Sequence, residues 1–183
     1  AARGGVAERA MNRLPRVIAM LVVLALVAPE IRREQAERQL AQATARIDPV
    51  LRGDLQGAPA VAAAADAATL AAAAARALPG DPRPPLPGAI AAMLLGRTDV
   101  AVTLLDAAID EGERPEFTVN LGRARAMQGD MAGADRAYLR SAWASELALA
   151  TLPAAMRDDL LARVRLLEAA LHRGTLDVPP PLD

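Results

Sequence analysis

The chain has 183 residues, a net charge of −1, 53% hydrophobic but only 2% aromatic residues, and no cysteine. Its length allows one ordinary domain beside an apolar N-terminal stretch. The lack of cysteine excludes disulfides, thiolate metal sites and a Cys nucleophile, and the 21 basic residues, all Arg, are too scattered to form a nucleic-acid stripe.

Residues 1–13, with Gly4-Gly5 and mixed charge, read as a polar head. Val17 to Ala28 follows as twelve consecutive apolar residues. Counted from Leu14 to Ile31 the stretch reaches eighteen residues, about 27 Å of helix at ~1.5 Å per residue against a hydrocarbon core of ~30 Å. Pro15, Arg16, Pro29 and Glu30 interrupt it only near its ends. The reading is a transmembrane anchor over 14–31 that includes Val17, Ile18, Leu21, Leu24 and Val27. A signal peptide and a soluble core helix share this length, although Pro29 directly after Ala28 opposes cleavage. Arg3, Arg9, Arg13 and Arg16 before the stretch nearly balance Arg32, Arg33, Arg38 and Arg46 behind it. A short basic head before a domain-sized segment favours a single-pass topology in an inner (cytoplasmic) membrane. The N-terminus would then be cytoplasmic and the C-terminal domain periplasmic or otherwise extracytoplasmic.

Residues 32–52 continue as a juxtamembrane helix. Ala36, Leu40, Ala43, Ile47 and Val50 recur at intervals of 4, 3, 4 and 3, a heptad seam too short for a self-sufficient coiled coil and suited to a neighbouring helix. Glu34 and Arg38 stand one turn apart for an ion pair. Asp48-Pro49 predicts an N-cap and first helical position, Gly53 to Pro59 a loop, and Ala60 to Leu78 an Ala-rich helix. Ala77 to Gly88 is a Pro-dense connector that cannot stay helical.

From Gly88 to Ala148 the chain repeats. Gly96 matches Gly129, Ala101 matches Ala134, Leu105 matches Tyr138 and Ala108 matches Ser141, each at an offset of 33. The two glycines suit left-handed helix ends, and Ala101 and Ala134 let a following helix approach closely. Leu104, Leu105, Ala108 and Ile109 form one apolar face; Tyr138, Ala142 and Trp143 form another. A helix, a Gly-led turn and a second helix at this period resemble a tetratricopeptide repeat. Leu121-Gly122 and Gly129-Asp130 also match the pattern, while the Trp and Tyr of the first helix are absent and Arg125 stands where the Tyr would be. The fold class is therefore all-α: one N-terminal transmembrane helix followed by a tetratricopeptide-like hairpin domain over 60–174.

Thr151 is the expected N-cap of the last helix, and His172-Arg173-Gly174 its end. Met156, Leu160, Val164, Leu167 and Leu171 share one face, and Asp159 can pair with Arg163. The tail, 175–183, is Pro-rich and extended. His172 is the sole histidine, and no carboxylate pair, phosphate loop or metal-ligand spacing accompanies it. No catalytic residue, cofactor or metal is expected.

The resemblance implies a concave groove lined by the first helices of the repeats, with Glu116, Val119, Asn120, Arg123 and Met127 at the matching places. Asn120 would bond a peptide backbone and Arg123 a carboxylate. It further implies a non-enzymatic, membrane-anchored scaffold whose partners are peptide segments or other membrane-complex subunits. The layout is similar to ancillary subunits of the bacterial translocon and to haem-ligation assembly proteins. A structural accessory subunit of a large membrane complex, its anchor packed on other subunits, is the alternative.

Overall fold

The computed structural model describes residues 14–175, with side chains described from residue 20 onward except at 21 and 22. The expectations for the head at 1–13 and for the tail beyond residue 175 lie outside the described residues, as do the side chains of Val17, Ile18 and Leu21. Among the described residues the fold is all-α. Helices α1 (Leu14–Leu51), α2 (Gly57–Ala77), α3 (Pro85–Leu94), α4 (Thr98–Glu111), α5 (Pro115–Met127) and α6 (Met131–Ala144) lead to a 3-10 turn (Glu146–Thr151) and to α7 (Ala154–His172).

Helix α1 runs unbroken for 38 residues, about 57 Å at ~1.5 Å per residue. Pro49 does not open a new helix, as Asp48-Pro49 had suggested, but lies in the last turn of α1. The cost of its missing N–H falls in a turn about to end: the Asp54 and Leu55 amides both donate to the Pro49 carbonyl, closing the helix. Ala36, Ala43 and Ile47 of the seam are buried, and Leu40 and Val50 half-buried. Ala43 and Ile47 pack with Ala67 and Ala71 of α2 and Ala91 of α3. Because the small side chains draw the helices close, a Leu at Ala43 would overpack the seam by about 1–3 kcal/mol.

Helix α2 starts earlier than the expected loop allowed. Pro59 sits in its first turn, where a backbone N–H has no intrahelical acceptor to lose. Ala63, Ala64, Ala67, Ala71 and Ala74 form its buried face. Among the described residues Gly57–Ala77 is long and apolar enough to cross a membrane, so the span seen lies mid-chain, while the stretch expected to do so, 14–31, includes side chains outside the described residues. Its hydropathy comes from alanine, and 28% of its most apolar window is buried in the protein. Arg83, in the connector after α2, ties the body back to α1. Its guanidinium donates to both carboxylate oxygens of Glu37, at 2.6 and 2.9 Å, and to Asp81. These contacts hold the Glu37 and Asp81 carboxyls below their ordinary range.

The Pro-dense connector turns helical sooner than expected, α3 beginning at Pro85 because proline is preorganised for a first turn. Two helix hairpins follow, α3–α4 and α5–α6. Gly96 and Gly129 end their first helices at φ of +71° and +85°, the left-handed conformation that glycine adopts without strain. The matched residues are equivalent in burial: Ala101 and Ala134, Leu105 and Tyr138, Ala108 and Ser141 are all buried. Leu105, Ala108, Phe117, Leu121 and Ala137 join the hairpins in one core. Arg125 reaches Asp106 of α4 at 3.7 Å.

Thr151 does not cap the last helix. The chain between α6 and α7 closes into a 3-10 turn that buries Leu149, Pro153 takes the N-cap position, and the Thr151 hydroxyl is engaged by Arg123. On α7, Leu160 and Val164 are buried with Tyr138, Ala142 and Leu149, and Trp143 packs against the same cluster. Met156 and Leu171, expected on that face, are exposed. Arg163 lies 3.7 Å from Asp159 but bonds Asp135 of α6 bidentately, at 2.6 and 2.8 Å. The Thr175 amide donates to the Ala170 carbonyl, ending α7 where the Gly174 signal placed it.

Candidate binding groove

Helix α5 positions the site. Pro115 opens it, and Glu116 in the first turn complements the positive end of the helix dipole. Val119 and Asn120 stand three and four residues after Glu116 and four and three before Arg123, and Met127 four beyond it, so all five share one side of α5.

That side is concave. One cavity of about 450 Å³ is walled by Leu51 of α1, Ile90, Met93 and Leu94 of α3, Asn120, Arg123 and Met127 of α5, and Thr151. A second, of about 400 Å³, is walled by Pro115, Glu116, Val119, Asn120 and Arg123 of α5 with Ser145, Leu147, Ala148 and Thr151. All five residues expected in the groove therefore line one or both cavities. Asn120, Arg123 and Thr151 belong to both.

These three residues form a polar bridge. The Asn120 side-chain amide donates to the Glu116 carbonyl at 2.7 Å, and its oxygen accepts from Arg123 Nη1 at 2.9 Å. Arg123 Nη2 donates to the Thr151 hydroxyl. Asn120 is buried and thus holds Arg123 in place rather than standing open to a peptide backbone. Both hydrogen-bond partners of Arg123 are neutral, and among the described residues no carboxylate pairs with it. A half-buried guanidinium fixed by neutral groups keeps donors for an incoming anion. Behind it burial raises the Tyr138 phenol, with the Arg123 charge opposing.

The remaining residues differ in kind. Val119 is as much core as groove, packed with Ala134 and Tyr138. Met127 is exposed, and Glu116 is half-exposed with Arg114 at 3.9 Å. Sequence reasoning missed Leu51, Ile90, Met93, Leu94, Leu147 and Thr151. Two of them were within reach, because Ile90 and Leu94 stand 33 residues before Arg123 and Met127, the same offset as the matched glycines. Thr151 and Leu147 gave no such signal, since they enter through a 3-10 turn with no periodic pattern.

The groove is suited to holding a segment of another molecule by apolar contact around one cation. Among the described residues no group of three His, Asp or Glu side chains stands close enough to hold a metal. Neither the protein-family models, the curated proteins nor the solved structures contain a match to this chain.

Proposed function

We propose that this chain is a membrane-anchored, tetratricopeptide-like scaffold, not an enzyme, that holds partner segments in the α3–α5 groove and so assembles proteins at an inner membrane. The observation that carries this reading is the division of labour along α1. Its distal part is built into the body through Ala36, Ala43 and Ile47, while Met20, Val23, Leu24, Leu26, Val27 and Ile31 on the same helix are exposed, Leu26 at 70%. Apolar side chains exposed around more than one side of a helix suit lipid. With the N-terminus in the cytoplasm, the hairpins would lie on the opposite side of the membrane. Flotation of the full-length protein with carbonate-washed vesicles tests the anchor. Retention in the lipid layer is expected, together with its loss in the Leu24→Arg/Val27→Arg variant; recovery of the intact protein in the soluble fraction would defeat the reading.

The outer face of α2 favours a second reading, an accessory subunit packed on other membrane subunits. Val61 is 55% exposed there beside a run of small residues. Mild detergent extraction separates the two: one defined stoichiometric complex speaks for the subunit, and a varied set of clients for the scaffold.

A further inference from the structure

We infer that the groove receives an extended segment of a partner protein in which a single acidic side chain is flanked on both sides by aliphatic ones. This rests on the scaffold reading above and adds the partner's chemistry. The two cavities meet at the Asn120–Arg123–Thr151 bridge, which belongs to both walls. On one side of the bridge the wall is aliphatic, from Leu51, Ile90, Leu94 and Met127. On the other it is formed by Val119, Leu147 and Ala148, with Glu116. A segment crossing the bridge therefore meets apolar surface, then a cation, then apolar surface again.

Charge decides what sits at the centre. Arg123 uses two guanidinium nitrogens on neutral acceptors and, among the described residues, has no carboxylate partner. An Asp or Glu on the segment would gain charge-assisted hydrogen bonds there. Asn120, itself held by the Glu116 carbonyl at 2.7 Å, fixes the guanidinium beforehand, so little side-chain freedom is lost on binding. Glu116 lines the second cavity, and among the described residues only Arg114, at 3.9 Å, approaches its carboxylate. A second acid at that end meets like charge, so the site selects one acid and disfavours an acidic run. In an extended chain, residues two apart face the same way about 7 Å from each other. The corresponding pattern is aliphatic, any residue, Asp or Glu, any residue, aliphatic.

The test is selection of random dodecapeptides on the full-length protein in detergent micelles, followed by anisotropy titration of synthetic winners. Enriched peptides should share the pattern. Replacing their acid by its amide should weaken binding about tenfold or more. Arg123→Gln should cause the same loss, with no further loss for the amide peptide, whereas Arg123→Lys should keep part of the preference. Equal melting temperatures of the variants establish that the fold is intact. Winners that lack an acid, are acidic runs, or bind Arg123→Gln undiminished would overturn the proposed chemistry; if Leu94→Glu still displaced them, the groove itself would stand. Winners unaffected by Leu94→Glu, or no winners at all, would overturn the groove together with the pattern.

Discussion

The ring of Tyr138 occupies the space that a side chain on Gly122 would need. A Cβ built on Gly122 would lie 2.5 Å from Tyr138 Cε1 and 2.6 Å from Cδ1. The crossing of α5 and α6 is therefore an interlock of an aromatic ring with bare backbone. Gly122→Ala should destabilise the protein by about 1–3 kcal/mol, since both partners are buried and the ring has little room to retreat. Tyr138→Leu in the same chain should recover part of that loss. Urea unfolding of the single and double variants checks it, and additive losses would mean that the two positions do not interlock.

Two carboxylates link α6 to its neighbours, with a consequence for acid stability. The hydrogen bonds from Arg140 lower the Glu113 carboxyl, and those from Arg163 lower Asp135, burial opposing in each case. A carboxyl depressed in the folded state stabilises the fold above the ordinary range near pH ~4 and loses that contribution as pH falls through the folded value. Glu113→Gln should cost about 1 kcal/mol at pH 7 and nothing measurable once the wild-type carboxyl is protonated. Asp106 has the opposite sign. Burial raises its pKa despite Arg125, so its charged form disfavours folding at neutral pH and the penalty disappears on acidification. Asp106→Asn should therefore stabilise at pH 7 and not at pH 3, as denaturant midpoints at both values would reveal.

Arg83 joins α1 to the connector between α2 and α3 through Glu37 and Asp81. All three side chains are at least partly exposed, so Arg83→Met should lower global stability by less than about 1 kcal/mol. Its local effect should be larger. Amide hydrogen exchange should accelerate in residues 78–84 while α5 and α6 keep their protection. Uniform acceleration across the domain would show that the contact supports the whole fold instead.

Thr151 accepts from Arg123 where the two cavities meet. Thr151→Val keeps the shape of an exposed residue and removes the acceptor. Stability should change by under about 0.5 kcal/mol, while affinity for an acidic peptide of the pattern above should fall a few-fold because Arg123 loses one of two tethers. Titration beside a thermal melt separates the two effects. Unchanged affinity would leave Asn120 as the tether that matters.

The helices were legible because periodicity and end signals act locally. The offset of 33 placed the turns at Gly96 and Gly129, and the seam marked Ala36, Ala43 and Ile47 as buried. Prolines misled because their effect depends on where they fall within a turn. Pro49 ends a helix instead of starting one, and Pro59 and Pro85 sit in first turns, where no hydrogen bond is lost. In the groove, one side of α5 was named by the resemblance to a helix-hairpin repeat, but the wall opposite was not. Leu51 arrives from a residue more than sixty positions earlier, and Thr151 from a 3-10 turn that no periodic pattern announces.

Composition and order of residues by themselves determined that the described part of the chain is helical, that small side chains let its helices approach closely, and that the two hairpins share one plan, because helix propensity, glycine turns and apolar spacing are local properties. Tertiary structure decided that Asn120 is a brace rather than an open donor, that Thr151 faces Arg123 instead of capping α7, and that Arg123 stands between two cavities with no carboxylate beside it among the described residues. These depend on which side chains packing brings within hydrogen-bond reach across distant segments.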